Sequence, residues 1–199
     1  KKRKTKSRNL IKKIIEEDKT VYGINTGFGK LSQVKVSRDK LEKLQLNLLR
    51  SHACGIGEPI DSDVARIMMY LKINKLTEGK SGCSLEVVEK LMDLLNKGVI
   101  PVIPRKGSVG ASGDLAPLAH MALPLIGEGE AFYKGDRSKS QKLVSNGIYK
   151  PVKLGPKDGL SLINGTQYST AICIYSLIKI EKIMLLAKLA AAMSIAADM

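Results

Sequence analysis

The chain has 199 residues, 44% of them hydrophobic, with no Trp and only 4% aromatics. This argues against extensive disorder and leaves Leu, Ile, Val, Ala and Met to fill the core of one domain, or of one domain and a piece of another. Net charge is +14, but six of the first eight residues (KKRKTKSR) are basic, which leaves +8 on the remainder once those six are set aside. Lacking interleaved aromatic rings, that run offers nucleic-acid bases no stacking platform and reads as a solvated helix face.

Helical periodicity dominates the chain. Leu10, Ile11, Ile14 and Ile15 form one apolar stripe. A second, Leu41, Leu44 and Leu48, follows a cap expected at Ser37. Val64, Ile67, Met68 and Leu71 follow Asp61, a good N-cap type. Leu85, Val88, Leu91, Met92 and Leu95 follow Ser84 and stop at Gly98. GEAFYKGDRSKSQK predicts a short strand or hairpin. From about Ser169 to Met199 the pattern is again helical, rich in Ala, Ile, Leu and Met and free of Gly and Pro. Its length predicts a bundle helix buried on several sides, and its lack of a stop signal predicts a truncated polypeptide. Lys179, Glu181, Lys182 and Lys188 interrupt it, so it is not expected to span a membrane.

Cys54, Cys83 and Cys173 are widely spaced with no C-x-x-C, and the two histidines, His52 and His120, lack metal-ligand spacing. Neither a zinc site nor a disulfide framework is expected, and with no apolar leader core the chain reads as cytoplasmic. GFGK (27–30) is not a phosphate loop: Ile24 stands where the first glycine belongs, and Leu31 where a magnesium-binding hydroxyl belongs. GFGKLS lacks the third glycine of a dinucleotide fingerprint. GASG is not a nucleophile elbow, because Gly113 follows Ser112 directly. Asp114, only two positions from Ser112, gives no support to a Ser-His-Asp relay.

The stretch GSVGASGDLAPLAH (107–120) sets pliable residues directly against a helix start. Here the backbone itself can be the reactant. The amide nitrogen of Gly113 can attack the carbonyl carbon of Ala111, glycine tolerating the close approach. Ser112 supplies a β-hydroxyl. Loss of two waters gives a five-membered ring bearing an exocyclic methylidene, an electrophile that none of the twenty side chains offers. Asp114 is expected to N-cap the following helix, with Pro117 in its first turn, so that the helix end polarises the ring.

With these residues in place, GSVGASGDLAPLAHMALPLIGEGEA resembles the signature of the aromatic amino acid ammonia-lyases that carry a methylidene-imidazolone (MIO) group. YGINTGFG (22–29), SHACGIG (51–57) and LINGTQ (162–167) resemble three further blocks of that family in the same order. The resemblance implies a mainly α fold of the L-aspartase/fumarase-like superfamily. In it, an MIO-bearing domain of helices and glycine-rich loops (1–165) leads into the start of a central helical bundle (166–199). Ser51-His52 is similar to the histidine-selective version of the selectivity loop; phenylalanine- and tyrosine-selective members usually show Phe-Leu or His-Leu there. Cys54 departs from the more usual small apolar residue.

The implied reaction is non-oxidative elimination of ammonia from an L-amino acid, giving trans-urocanate when the substrate is histidine. MIO would form from Ala111, Ser112 and Gly113, with no external cofactor or metal. The substrate amine would add to the methylidene carbon from Ser112. Tyr22, at the family's motif tyrosine, would take the β-proton; its ordinary pKa of about 10 must be lowered or the transfer tightened. His52 would contact the substrate imidazole. Asn164 would hold the ring carbonyl or the substrate carboxylate. His120, inside a helical pattern, is expected to be structural. Gly27 and Gly29 would permit close backbone approach. Members of the family act as homotetramers and place further substrate-binding residues downstream, so this stretch alone is expected to be weakly active or inactive. The partners implied are a small amino acid and copies of the same chain, with no nucleic acid and no membrane. Rival readings are an MIO-dependent aminomutase, a phenylalanine or tyrosine ammonia-lyase and, outside enzymes, a basic helical binding module.

Overall fold

The computed structural model describes residues 2–110 and 113–198, the first few by backbone alone. Eight α-helices carry the described residues: α1 (Lys2–Glu16), α2 (Leu41–His52), α3 (Ser62–Thr77), α4 (Leu85–Asn96), α5 (Leu115–Ala122), α6 (Ser140–Ser145), α7 (Asp158–Ile163) and α8 (Gln167–Ala197). Five short strands join them: β1 (Ile56–Pro59), β2 (Ile100–Pro101), β3 (Pro104–Lys106), β4 (Glu130–Tyr133) and β5 (Asp136–Lys139). The architecture is mainly α, as expected.

Local capping signals set the starts of two helices. Asp61 caps α3, its carboxylate accepting the Asp63 N–H at 2.9 Å. Ser84 caps α4 by accepting the Val87 N–H at 3.4 Å, and α4 ends two residues before Gly98. Ser37 behaves differently from the expectation. It precedes a single 3-10 turn, Arg38–Lys40, makes no side-chain cap, and that turn runs directly into α2. The predicted hairpin is present as β4 and β5, paired antiparallel across Lys134-Gly135, and β2 adds to its other edge. β1 and β3 form a separate antiparallel pair.

One core joins α2, α3, α4, α5, α7 and the first turns of α8. Leu49, Met68, Met69, Leu91, Leu94, Leu118 and Ile163 are fully or almost fully buried in it. The stripe of α4 is rotated slightly from expectation: Val87 and Leu94 are buried, while Met92 is exposed. Asp158, also buried, ties three segments together. It accepts the Ser84 N–H and hydroxyl at 2.7 and 2.9 Å, the Gly155 N–H at 2.8 Å and, more distantly, the Arg8 guanidinium at 3.4 Å.

The long C-terminal helix forms, but its predicted burial is not seen within this chain. Only Tyr168 and Ala171 of α8 are buried, and Ile183, Leu186, Leu189, Met193 and Ile195 are all exposed. The physical reason is length: α8 packs on α3 through its first turns and then runs past the last element available to cover it. Apolar all round, it has no polar face to offer solvent. No helix among the described residues is long and apolar enough to cross a membrane.

Candidate active site

The loops at Gly55, Gly107 and Gly165 converge where α2, α5 and α7 pack on one another, and the 22–29 loop reaches α7 through Gly23. Residues Ala111 and Ser112 lie outside the described residues; the structure describes what flanks them. Gly113 is buried with φ of +135°, and a Cβ there would come within 2.8 Å of the Gly165 carbonyl oxygen and 3.1 Å of the Gly165 nitrogen. The Asp114 N–H donates to that same carbonyl at 2.7 Å. The chain at 113 therefore lies directly against the NGTQ segment, in a place and conformation that suit only glycine. This cradle fits the close main-chain approach that closing an MIO ring at 111–113 requires.

A cavity of about 320 Å³ opens beside Gly113, lined also by Ser51, His52, Cys54, Gly107, Leu115 and Ala116. Leu115 and Ala116 sit in the first turn of α5, where N–H groups have no partner within the helix and the helix dipole is positive. Pro117, next in that turn, has no N–H to offer. Larger recesses of about 590 and 600 Å³ lie beside Leu10 and Gly79 and beside Lys35 and Ser37; none of the sequence-predicted site residues lines either.

Asp114 precedes α5 as expected, but its carboxylate does not cap that helix. Fully buried, it accepts the Ser108 hydroxyl at 2.7 Å, the Ser169 hydroxyl at 2.7 Å and the Ser169 N–H at 2.8 Å. Ser169 is in the first turn of α8, so Asp114 satisfies an orphan donor of α8 and not of α5. With ψ of 57° at Asp114, the side chain is carried away from the α5 amides and toward the neighbouring helix.

His52 ends α2. Its Nδ1 lies 2.9 Å from the Leu48 carbonyl oxygen and 3.1 Å from the Ser51 hydroxyl. A carbonyl only accepts, so Nδ1 carries the hydrogen and Nε2 keeps its lone pair for an incoming N–H donor. His120 does the converse: its Nε2 accepts the Gly55 N–H at 3.0 Å, and burial holds its pKa below the ordinary value. It thereby clips the loop that follows His52 onto α5. Gly55 also abuts Gly107, whose missing Cβ leaves room for the Gly55 backbone. Sequence reasoning missed this pairing, because α3 and α4 lie between the two loops and nothing local links them.

Tyr22 is exposed and stands edge-on to Phe28, ring centroids 6.2 Å apart. Its loop is shaped by the buried Asn25, whose side chain accepts the Val21 N–H and donates to the Lys19 carbonyl. Gly23 packs on Leu160 of α7, which brings the loop to the helix that Asn164 terminates. Gly27 does permit close approach, to Leu31 in its own turn; Gly29 has nothing within 4 Å and is required only for its positive φ. Asn164 is the C-cap of α7, exposed, and its carbonyl accepts from the buried Lys72 ammonium at 2.8 Å. Thus His52 and Gly113 share the cavity wall, Asn164 adjoins it through Gly165, and Tyr22 does not line it.

Glycine-bearing loops gathered around the start of α5, within a mainly α chain, are the setting that the aromatic amino acid lyase resemblance implies. The chain belongs to this family, whose description "Aromatic amino acid lyase" matches residues 1–199. It is 51% identical over 195 residues to histidine ammonia-lyase of Alkaliphilus oremlandii, covering 96% of this chain and 38% of that protein. The crystal structure of histidine ammonia-lyase from Trypanosoma cruzi superposes with a TM-score of 0.83 at 40% identity, over 91% of this chain and 35% of that one. The ergothionase of Treponema denticola superposes with a TM-score of 0.87 at 33% identity, over 92% and 36% of the two chains. The chain thus spans little more than a third of the length of the proteins it matches.

Proposed function

We propose that this chain forms the electrophile-bearing part of a histidine ammonia-lyase, which eliminates ammonia from L-histidine to give trans-urocanate, the first step of histidine degradation. The observation that carries the reading is the shared cavity: His52, with Nε2 left as an acceptor, and Gly113, cradled against Gly165, line the same 320 Å³ space. Ala111, Ser112 and Gly113 would form the MIO group, with Gly165 and Asn164 holding it from the NGTQ side. When formed, MIO supplies a carbon electrophile toward the substrate amine.

The chain's own residues would do the rest. His52 accepts the imidazole N–H of the substrate and fixes its ring. Asn164 offers its side-chain amide to the ring carbonyl or the substrate carboxylate. The first-turn N–H groups of Leu115 and Ala116 favour negative charge developing in the cavity. Tyr22, exposed on the 22–29 loop, takes the β-proton.

In this reading residues 1–165 form the active-site unit and 166–199 begin the helical bundle. The uncovered apolar surface of α8 is then buried by the rest of the polypeptide and by partner copies in a cytoplasmic homotetramer. Ala111, Ser112, Gly113 and Tyr22 act in the chemistry; His52 and Asn164 bind substrate. The test is the full-length protein with L-histidine, following urocanate absorbance and free ammonia. A β-amino acid product in place of urocanate would assign an aminomutase. Ser112→Ala should abolish both turnover and the loss of two waters from the intact mass; retained turnover would refute the mechanism.

A further inference from the structure

Lys72 is the one lysine buried to 1% exposure among the described residues. It sits on α3 with Met68, Met69, Ile73 and Leu76, all buried. No carboxylate among the described residues pairs with it, and Cys83, the thiol that faces it, is held neutral by burial. A charged group so placed is costly, and Met or Leu would fill the same space at lower cost. Its single recorded hydrogen bond goes to the Asn164 carbonyl at 2.8 Å.

That bond grips a particular peptide. The Asn164–Gly165 peptide is trans, so its N–H points away from its carbonyl and hence away from Lys72. Gly113 lies close to that nitrogen: the Gly165 nitrogen is 3.1 Å, and the oxygen of the following peptide, that of Gly165, 2.8 Å, from where a Gly113 Cβ would stand. A strong donor on a carbonyl also polarises the peptide and makes its N–H a better donor. Lys72 is therefore linked to residue 113 through one peptide, from inside the core.

We propose that Lys72 is a positioning residue for the candidate centre, fixing and polarising the Asn164–Gly165 peptide so that Gly165 is held against residue 113. The proposal rests on the ammonia-lyase reading above. Lys72 touches neither substrate nor reacting atoms; it acts by holding Gly165 where the chain at 113 must turn on it, and Asn164 where its side chain serves the site.

The test uses the full-length protein with Lys72→Met, Lys72→Gln and Lys72→Arg. Three quantities are measured: the fraction showing loss of two waters by intact mass, kcat and KM for L-histidine, and the thermal midpoint. Lys72→Met should keep or raise the midpoint, yet lower the modified fraction or kcat by at least about tenfold. Lys72→Gln and Lys72→Arg, which restore an N–H donor, should recover part of the loss. If Lys72→Met does not fold, the comparison passes to Gln and Arg against wild type. Full modification and unchanged kcat in the folded variants would overturn the role of Lys72 alone. An unmodified, inactive wild type would instead overturn the functional reading, and the role of Lys72 with it.

Discussion

The buried carboxylate of Asp114 accepts both the N–H and the hydroxyl of Ser169, at 2.8 and 2.7 Å, across 55 positions of sequence. One side chain thus fixes the end of the 107–113 loop to the first turn of α8, and a third bond from Ser108 closes the loop on itself. Removing the carboxylate leaves buried donors without acceptors. Asp114→Ala is therefore expected to destabilise the fold by about 2–3 kcal/mol, and Ser169→Ala by about 1 kcal/mol. Urea unfolding of both single variants and the double variant measures the coupling. Additive losses would show that the two residues do not act together.

How much of this was legible in the sequence depended on range. The caps at Asp61 and Ser84 and the hairpin through Lys134-Gly135 rest on neighbours within a few residues, and periodicity with capping chemistry located them. Asp114 was legible as a helix-start residue but not as the cap of α8, because nothing local announces a partner 55 residues away. Lys72 was invisible for a related reason: a lysine in a helical pattern reads as solvent-facing, and only tertiary packing puts it among methionines. The site loops were legible as blocks. That His52 shares a cavity wall with Gly113, while Tyr22 does not line it, required the fold.

Gly113 tests the cradle. Any Cβ there meets the Gly165 oxygen at 2.8 Å, and the backbone must hold φ of +135°. Gly113→Ala is expected to cost about 2 kcal/mol or more, since neither the peptide at 165 nor the dihedral can relax cheaply. In the full-length protein it should also prevent the loss of two waters. Gly29 has a positive φ but open space around it, so Gly29→Ala should cost only about 1 kcal/mol. Equal costs at the two positions, read from denaturation midpoints, would argue against close approach at 113.

His120 makes the His52 loop sensitive to acid. Its Nε2 accepts the Gly55 N–H, which an imidazolium cannot do, and burial lowers its pKa from the ordinary value. A base whose folded pKa is lowered contributes stability that is fully present above its unfolded pKa of about 6.5 and is lost as pH falls from there toward the folded value. Amide exchange at Gly55, corrected for the intrinsic rate, should therefore lose protection on going from about pH 7.5 to pH 5.5. His120→Gln can present its amide oxygen to the same N–H and should flatten that dependence. Protection at Gly55 unchanged between the two conditions would remove the clip.

Lys72 gives the same sign in a higher pH window. Burial pushes its pKa down to about 7 from the ordinary 10.5. Below about pH 7 the group is protonated both folded and unfolded, and folding bears the whole cost of burying the charge. Between about 7 and 10.5 the unfolded chain binds more protons than the folded one, so stability rises with pH across that window. Wild type should gain stability between pH 7 and pH 9 relative to Lys72→Met, which has no proton to release at this position. The comparison cancels every other titrating group to first order. Parallel stability profiles for the two proteins across that window would mean that Lys72 keeps its ordinary affinity for protons, and that the ammonium is solvated in a way its 1% exposure does not allow.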